Sequence, residues 1–125
     1  TIQAVHYPLF ARVGAAEFVA YERSHTTRMG RLLVAPAGAE VILAAALVLA
    51  RPAGVSPMVV WIGGGLLAAA WVITALVHVP LHGRLSSGRD DRDLGRLVRT
   101  NWWRTGLWTV RGGLAASLLV QAGAA

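Results

Sequence analysis

Cysteine is absent from the 125 residues. That excludes disulfides, thiolate metal sites, iron–sulfur clusters and cysteine nucleophiles. Lysine is absent too, so all 12 basic residues are arginine. Charge of either sign is scarce, at 14% of the chain, against roughly a quarter in an average soluble domain. Six acidic residues leave a net charge of +6. Such an excess raises nucleic acid as a partner for a soluble chain. Here no basic stripe is interleaved with aromatics in the manner of single-strand binders, and the arginines gather between long uncharged runs. The reading is therefore no nucleic acid. No glycine-rich phosphate loop, Ser/His/Asp arrangement or paired-carboxylate pattern is present, which leaves phosphoryl transfer and classical hydrolysis without support.

What the chain has instead is apolar length, with 55% hydrophobic residues. Leu32 to Ala50 carries one formal charge, Glu40. Pro52 to Gly83 carries none, with His78 and His82 near its end. Thr105 to Ala125 carries one, Arg111. Runs of about 20 apolar residues match the hydrocarbon core of a bilayer. The expected fold is all-α, a single transmembrane helical-bundle domain over 1–125. Three complete spans are expected, at Leu32–Ala50, Met58 to about Val79, and Val98 to about Gln121. Thr1–Ala11 reads as the last turns of a further helix, and its lack of a basic segment and cleavage site rules out a signal peptide. A four-helix bundle with a truncated first helix follows, its missing span preceding Thr1. Arg12–Arg31 spaces Phe10, Val13, Phe18, Tyr21 and His25 at helical intervals, as a separate amphipathic helix at the interface would.

Between the spans, Arg51–Pro57 has the composition of a short turn. Gly83–Arg99 is a polar loop whose Asp90, Asp91 and Asp93 lack the ligand spacing of an EF-hand, so a solvated, charge-mixed connection is expected. Arg12, Arg23, Arg28 and Arg31 precede one span, and Arg84, Arg89, Arg92, Arg96 and Arg99 follow the next. Both groups then lie on one side, the cytoplasmic side of a bacterial inner membrane by the positive-inside rule.

Glu40 lies nine residues beyond Arg31, or about 13 Å along a helix. A carboxylate at that depth must face a partner or be protonated. Arg111 is the natural partner, since its long side chain leans back toward its helix N-terminus. Asn101, Arg104, Trp108 and Arg111 share one face of the last helix, which should look into the bundle. Histidine supplies the remaining chemistry. His78 and His82 have the i, i+4 spacing of a chelating pair, although Pro80 between them is expected to kink or stop the helix. His6, His25, His78 and His82 fall at one level and, with Glu40, form a plausible nitrogen and oxygen ligand set. His6 and His78 as axial haem ligands are the alternative. The residues leave the metal and the cofactor undefined.

Three stretches carry a resemblance. They are His6-Tyr7-Pro8-Leu9-Phe10 followed by Tyr21-Glu22-Arg23-Ser24-His25-Thr26; Pro36 with Glu40; and Asn101-Trp102-Trp103-Arg104 with Trp108 and Arg111. Together they resemble small bacterial four-helix membrane proteins of largely unknown function, distantly similar to anthrone oxygenase-like proteins. The resemblance implies four helices, and oxidation of polycyclic phenolic substrates with histidines involved. The matching positions are His6, His25 and Glu40. The last loop and the Asn101–Arg104 segment depart from the oxygenases.

Three functions follow as expectations. The first is a buried His/Glu/Arg pocket that binds, and in an extended form oxidises, a hydrophobic aromatic or quinone-like molecule. His6, His25 and Glu40 would carry its chemistry, and Tyr7, Tyr21, His78, Asn101, Arg104, Trp108 and Arg111 would bind the ligand. The second is a non-catalytic accessory subunit of a larger membrane complex or a homo-oligomer. The third is a haem-binding electron carrier.

Overall fold

The structure, a computed structural model, describes residues 2–124; its regular elements are all helices, joined by short turns, with no strand among the described residues. Helix α1 runs Ile2–His6 in wide π turns and continues through Tyr7–Phe10. Thr1, where the expected preceding span would join, lies outside the described residues. Helix α2 is Ala15–Leu49, α3 is Pro57–Leu85 and α4 is Asp91–Gly123.

Two of these boundaries match the turn chemistry of the sequence. Helix α2 ends just before Arg51-Pro52, and α3 opens on Pro57, whose missing N–H costs nothing at a first helical position. Gly54, at φ 78°, supplies the left-handed turn between them. Asp90 caps α4, its side chain accepting from the backbone N–H of Arg92 at 2.8 Å and of Asp93 at 2.9 Å. The loop expected over 83–99 is corrected: only 86–90 connect α3 to α4, Asp90 caps the helix, and Asp91 and Asp93 stand in its first turn. Asp91 accepts from Arg89 at 2.9 Å, and Asp93 pairs with Arg84 at 2.6 Å. The Arg84 guanidinium donating to it holds the Asp93 carboxyl below the usual carboxylate range.

Two further expectations are corrected. The amphipathic stretch is not a separate interfacial helix: it is the first half of α2, which passes unbroken through Pro36 into the apolar half. Nor does Pro80 stop its helix. Residues Thr74–His78 widen into π turns, and Val79–Leu85 continues the helix beyond them. A π turn absorbs the donor that proline lacks. Helices α2 and α3 are long and apolar enough to cross a membrane. Helix α4 is as long but falls short of that standard, because Arg111 and a scatter of Gly, Thr, Trp and Gln dilute its apolar half.

Helix α3 packs against both α2 and α4, most extensively against α4, whereas α2 and α4 scarcely touch. Helix α1 fills one end of the gap between them. There the buried core gathers Tyr7, Phe10 and Phe18 with Leu81, Leu85, Leu94 and Leu97. Phe10 meets Phe18 edge-on at 5.2 Å between centroids. Arg89 donates to the carbonyls of Val13 and Ala11 and lies 5.5 Å over the Phe18 ring. Arg23 donates to the Ser86 carbonyl at 3.0 Å. The two arginine-rich segments therefore meet at one end of the bundle.

Candidate functional site

Along α2, Glu22, His25, Met29, Leu33, Pro36 and Glu40 recur every three or four residues, which aligns them on one side of a helix. That side faces the gap left by α4, and the site is built on it.

Glu22 lies at the bottom, fully buried, with Oε1 2.6 Å from His82 Nδ1 of α3. Its second oxygen has no protein partner. A buried carboxylate needs such partners, so Glu22 fixes the His82 ring. His82 faces His25 at 5.8 Å between centroids, and His25 stacks on His6 of α1 at 4.5 Å and 24°. Three imidazoles from three helices thus form a column beside the buried carboxylate. On its outer side His6, Tyr21 and His25 line a shallow recess.

On the inner side, His25 and His82 open into a chamber of about 360 Å³. Tyr7, Asn101 and Arg104 supply its other polar groups at this end. Leu33, Trp71 and Trp108 are its apolar walls, and Glu40 stands at its far end. Asn101 Nδ2 donates to Gln3 Oε1 at 2.7 Å, and Gln3 Nε2 to the Val98 carbonyl at 3.3 Å, tying α1 to α4. Arg104 donates weakly to Asn101 Oδ1 at 3.4 Å, while its Nε is buried without an acceptor. An unsatisfied guanidinium N–H beside a cavity is a donor waiting for an acceptor.

The far end is closed by charge. Arg111 Nε donates to Glu40 Oε1 at 2.7 Å, and Nη1 donates to the Gly63 carbonyl of α3. One guanidinium fork therefore joins α2, α3 and α4. A Cβ on Gly63 would stand 3.4 Å from Nη1, so the small residue leaves room for the fork. Beyond this contact the gap widens into an apolar groove of about 890 Å³ between α2 and the outer half of α4.

Of the residues expected from the sequence, His25, Glu40, Tyr7, Asn101, Arg104 and Trp108 line one chamber. His6 and Tyr21 lie behind His25, and Arg111 borders the groove. His78 lines no cavity described here; it is buried on the π turns with both ring nitrogens unpartnered. The ligand set of four histidines with Glu40 does not assemble. Among the described residues no three His, Asp or Glu side chains are arranged to hold a metal ion. Glu40 is engaged by Arg111, and His82 turns to Glu22 rather than into a chelate with His78.

Glu22 and Gln3 are residues of the candidate site that the pattern of α2 and α1 did not single out. The signal for Glu22 was available, since it begins the stripe that ends at Glu40. No family model matches this chain, and no characterised protein or solved structure matches it.

Proposed function

We propose that the chain is a multi-pass protein of a bacterial inner membrane that binds a flat, hydrophobic, oxygen-bearing molecule, a quinone or phenol, in the chamber between α2, α3 and α4. The bilayer reading is supported by the length and apolarity of α2 and α3. It is supported also by outward side chains such as Leu49, 86% exposed, and Leu76, 73% exposed, which lipid would cover. Helix α4 is the third complete span, and α1 is the inner end of a fourth. The arginine-rich segments 12–31 and 83–99 face the cytoplasm, in keeping with their meeting at one end of the bundle.

The observation that carries the ligand reading is the buried, unpartnered Arg104 Nε in a chamber whose walls are Trp71 and Trp108. Ligand pockets combine apolar aromatic walls with a few polar groups that fix orientation. Arg104 would donate to a ligand oxygen. His25 and His82, the latter held by Glu22, would receive or return the proton of a phenolic hydroxyl. This assignment agrees with the resemblance to anthrone oxygenase-like proteins at His25, and adds His82 and Glu22 to it. Oxidation of the ligand requires an oxidant from outside the chain.

The test is native mass spectrometry of the purified protein, with extraction and identification of small molecules that remain bound. An aromatic oxygenated species retained by the wild type and lost from Arg104→Gln is the expected result. A wild type that carries lipid alone, and that gains no mass on addition of a benzoquinone, would reject the reading. A second reading, an accessory subunit of a larger complex, is favoured by Trp102 and Trp103. Both lie exposed on the outer face of α4, beside a shallow apolar depression.

A further inference from the structure

His25 borders two cavities at once. It lines the outer recess with His6 and Tyr21, and it lines the chamber with His82. The recess opens among exposed side chains at the arginine-rich end of the bundle, Ser24 and Arg28 among them. The chamber lies deeper, and its walls Leu33, Trp71 and Trp108 offer a proton no site to bind. The partition between the two cavities does offer one, at the His25 ring.

The imidazole column crosses that partition. His6 stacks on His25 at 4.5 Å, His25 faces His82 at 5.8 Å, and His82 Nδ1 meets Glu22 Oε1 at 2.6 Å. Each end of the column has a buried atom without a protein partner, His6 Nε2 at one and Glu22 Oε2 at the other. Buried polar atoms are ordinarily paired, so two orphans at the two ends call for a proton or a water. Of the other titratable groups near the column, Tyr7 of α1 and Arg104 of α4 lie across the chamber. Tyr21 and Arg28 of α2 lie at the recess, and His78 stands one turn before His82 on α3. None of these is a carboxylate, so Glu22 is the counter-charge at hand. Like charges this close disfavour each other. The column therefore holds one positive charge at a time, shared by the set rather than owned by one ring, and a proton entering at one end favours release at the other.

We infer that His82, His25 and His6 form a proton route between the chamber and the recess, with Glu22 as its fixed counter-charge and His25 as the ring that bridges the partition. The inference rests on the proposed function for its two proton acceptors, His25 and His82, and adds where the proton goes. An imidazole nitrogen takes the proton of a hydroxyl in the chamber, which leaves an oxyanion there. The imidazolium gives one proton to the next ring, and His6 gives one to a water or buffer base in the recess. One proton crosses and no electron moves. The rings are stacked or tilted against each other, so each step runs through a ring rotation or a bridging water.

The test follows the His82 ring proton that faces Glu22, in the full chain in lipid nanodiscs with isotope-labelled histidine. Four imidazoles give a spectrum that NMR can resolve. Exchange of that proton with water is measured as imidazole buffer is raised. In the wild type, exchange should quicken with buffer, because a base in the recess takes the proton from His6. His25→Phe and His6→Phe each keep a ring in the stack and remove its nitrogens. Each should slow exchange about a hundredfold, the low end of what a positioned proton-transfer group contributes, and should abolish the response to buffer. An unmoved His78 signal, from a ring buried outside the stack, identifies a variant that has kept its fold. Exchange in the wild type that ignores buffer would overturn the route without any variant. Equal rates in the wild type and both variants would also overturn it, since water would then reach His82 through the chamber itself. Slowing by His25→Phe alone would end the route at His25 and overturn the assignment to His6 and the recess. No chamber ligand is used, so the ring-binding function stands or falls separately, on retention of an aromatic species by the wild type.

Discussion

The two ends of this bundle are built on different terms. At the loop end, α1 closes the gap between α2 and α4 with aromatic rings and leucines, and arginine side chains lace the connections to the helices. Toward the other end, an apolar groove separates α2 from α4. There the Glu40–Arg111–Gly63 contact and a bond from the Ser56 N–H to Gln121 Oε1, at 2.8 Å, hold polar groups within an apolar surface. The first end is held by burial inside the chain. The second buries Val55, Val60, Leu67 and Ala70 but leaves much apolar surface outside, and adds a few directional contacts. The candidate site lies at the junction of the two, where side chains are fixed on one side and space is open on the other.

The comparison breaks most visibly if a core ring is removed. Phe10→Ala should cost about 3–5 kcal/mol, the usual loss for a buried aromatic, because Phe10 is fully buried against Phe18. Ile42→Ala, on the outward face of α2, should stay within about 0.5 kcal/mol. Thermal unfolding in one detergent compares the two, and similar losses would erase the distinction between the ends.

The next test concerns the contact that braces the open end. Glu40→Gln and Arg111→Gln should each cost about 1–3 kcal/mol by leaving a half-buried partner unsatisfied. The side chains are 30% and 17% exposed, which keeps the effect below that of a fully buried ion pair. The double variant should lose less than the sum, with a coupling of roughly 0.5–3 kcal/mol. Strict additivity in thermal unfolding would mean that the brace contributes nothing.

The smallest effect belongs to the loop surface. Asp93 has a lowered pKa because Arg84 donates to it. Its contribution to stability is therefore full above the unfolded carboxyl pKa of about 3.9 and is lost as the pH falls through the lower folded value. Asp93→Asn should melt slightly below the wild type at pH 7, and the two should converge as the pH falls through the lowered folded value. A difference that persists or grows in acid would assign the effect to something other than the Arg84 pair.

Much of this was legible in the residue pattern. The Arg51–Pro57 turn, the inward face of Asn101, Arg104, Trp108 and Arg111, and the Glu40–Arg111 contact all follow from helical spacing and from what a charge requires of an apolar surrounding. The continuity of α2 was not legible. Its polar half and its apolar half look like separate segments, and Pro36 lies beyond their junction. The stripe from Glu22 to Glu40 crosses that junction, and reading the two halves apart conceals it. Pro80 misled for a related reason: local chemistry states what proline removes, whereas the neighbouring turns determine how the loss is absorbed. The role of His82 is a matter of tertiary pairing. Its partner lies 60 residues earlier on another helix, a distance that no periodicity reports.

Sequence separation also puts the brace on a clock. Glu40 and Arg111 stand 71 residues apart. Chains are synthesised at about 5–20 residues per second, so Glu40 precedes Arg111 by roughly 4–14 s. During that interval the nascent carboxylate has no guanidinium to meet, and it must wait protonated or wetted. Helix α4 therefore delivers the counter-charge, and the chamber is not walled on every side until α4 has been made.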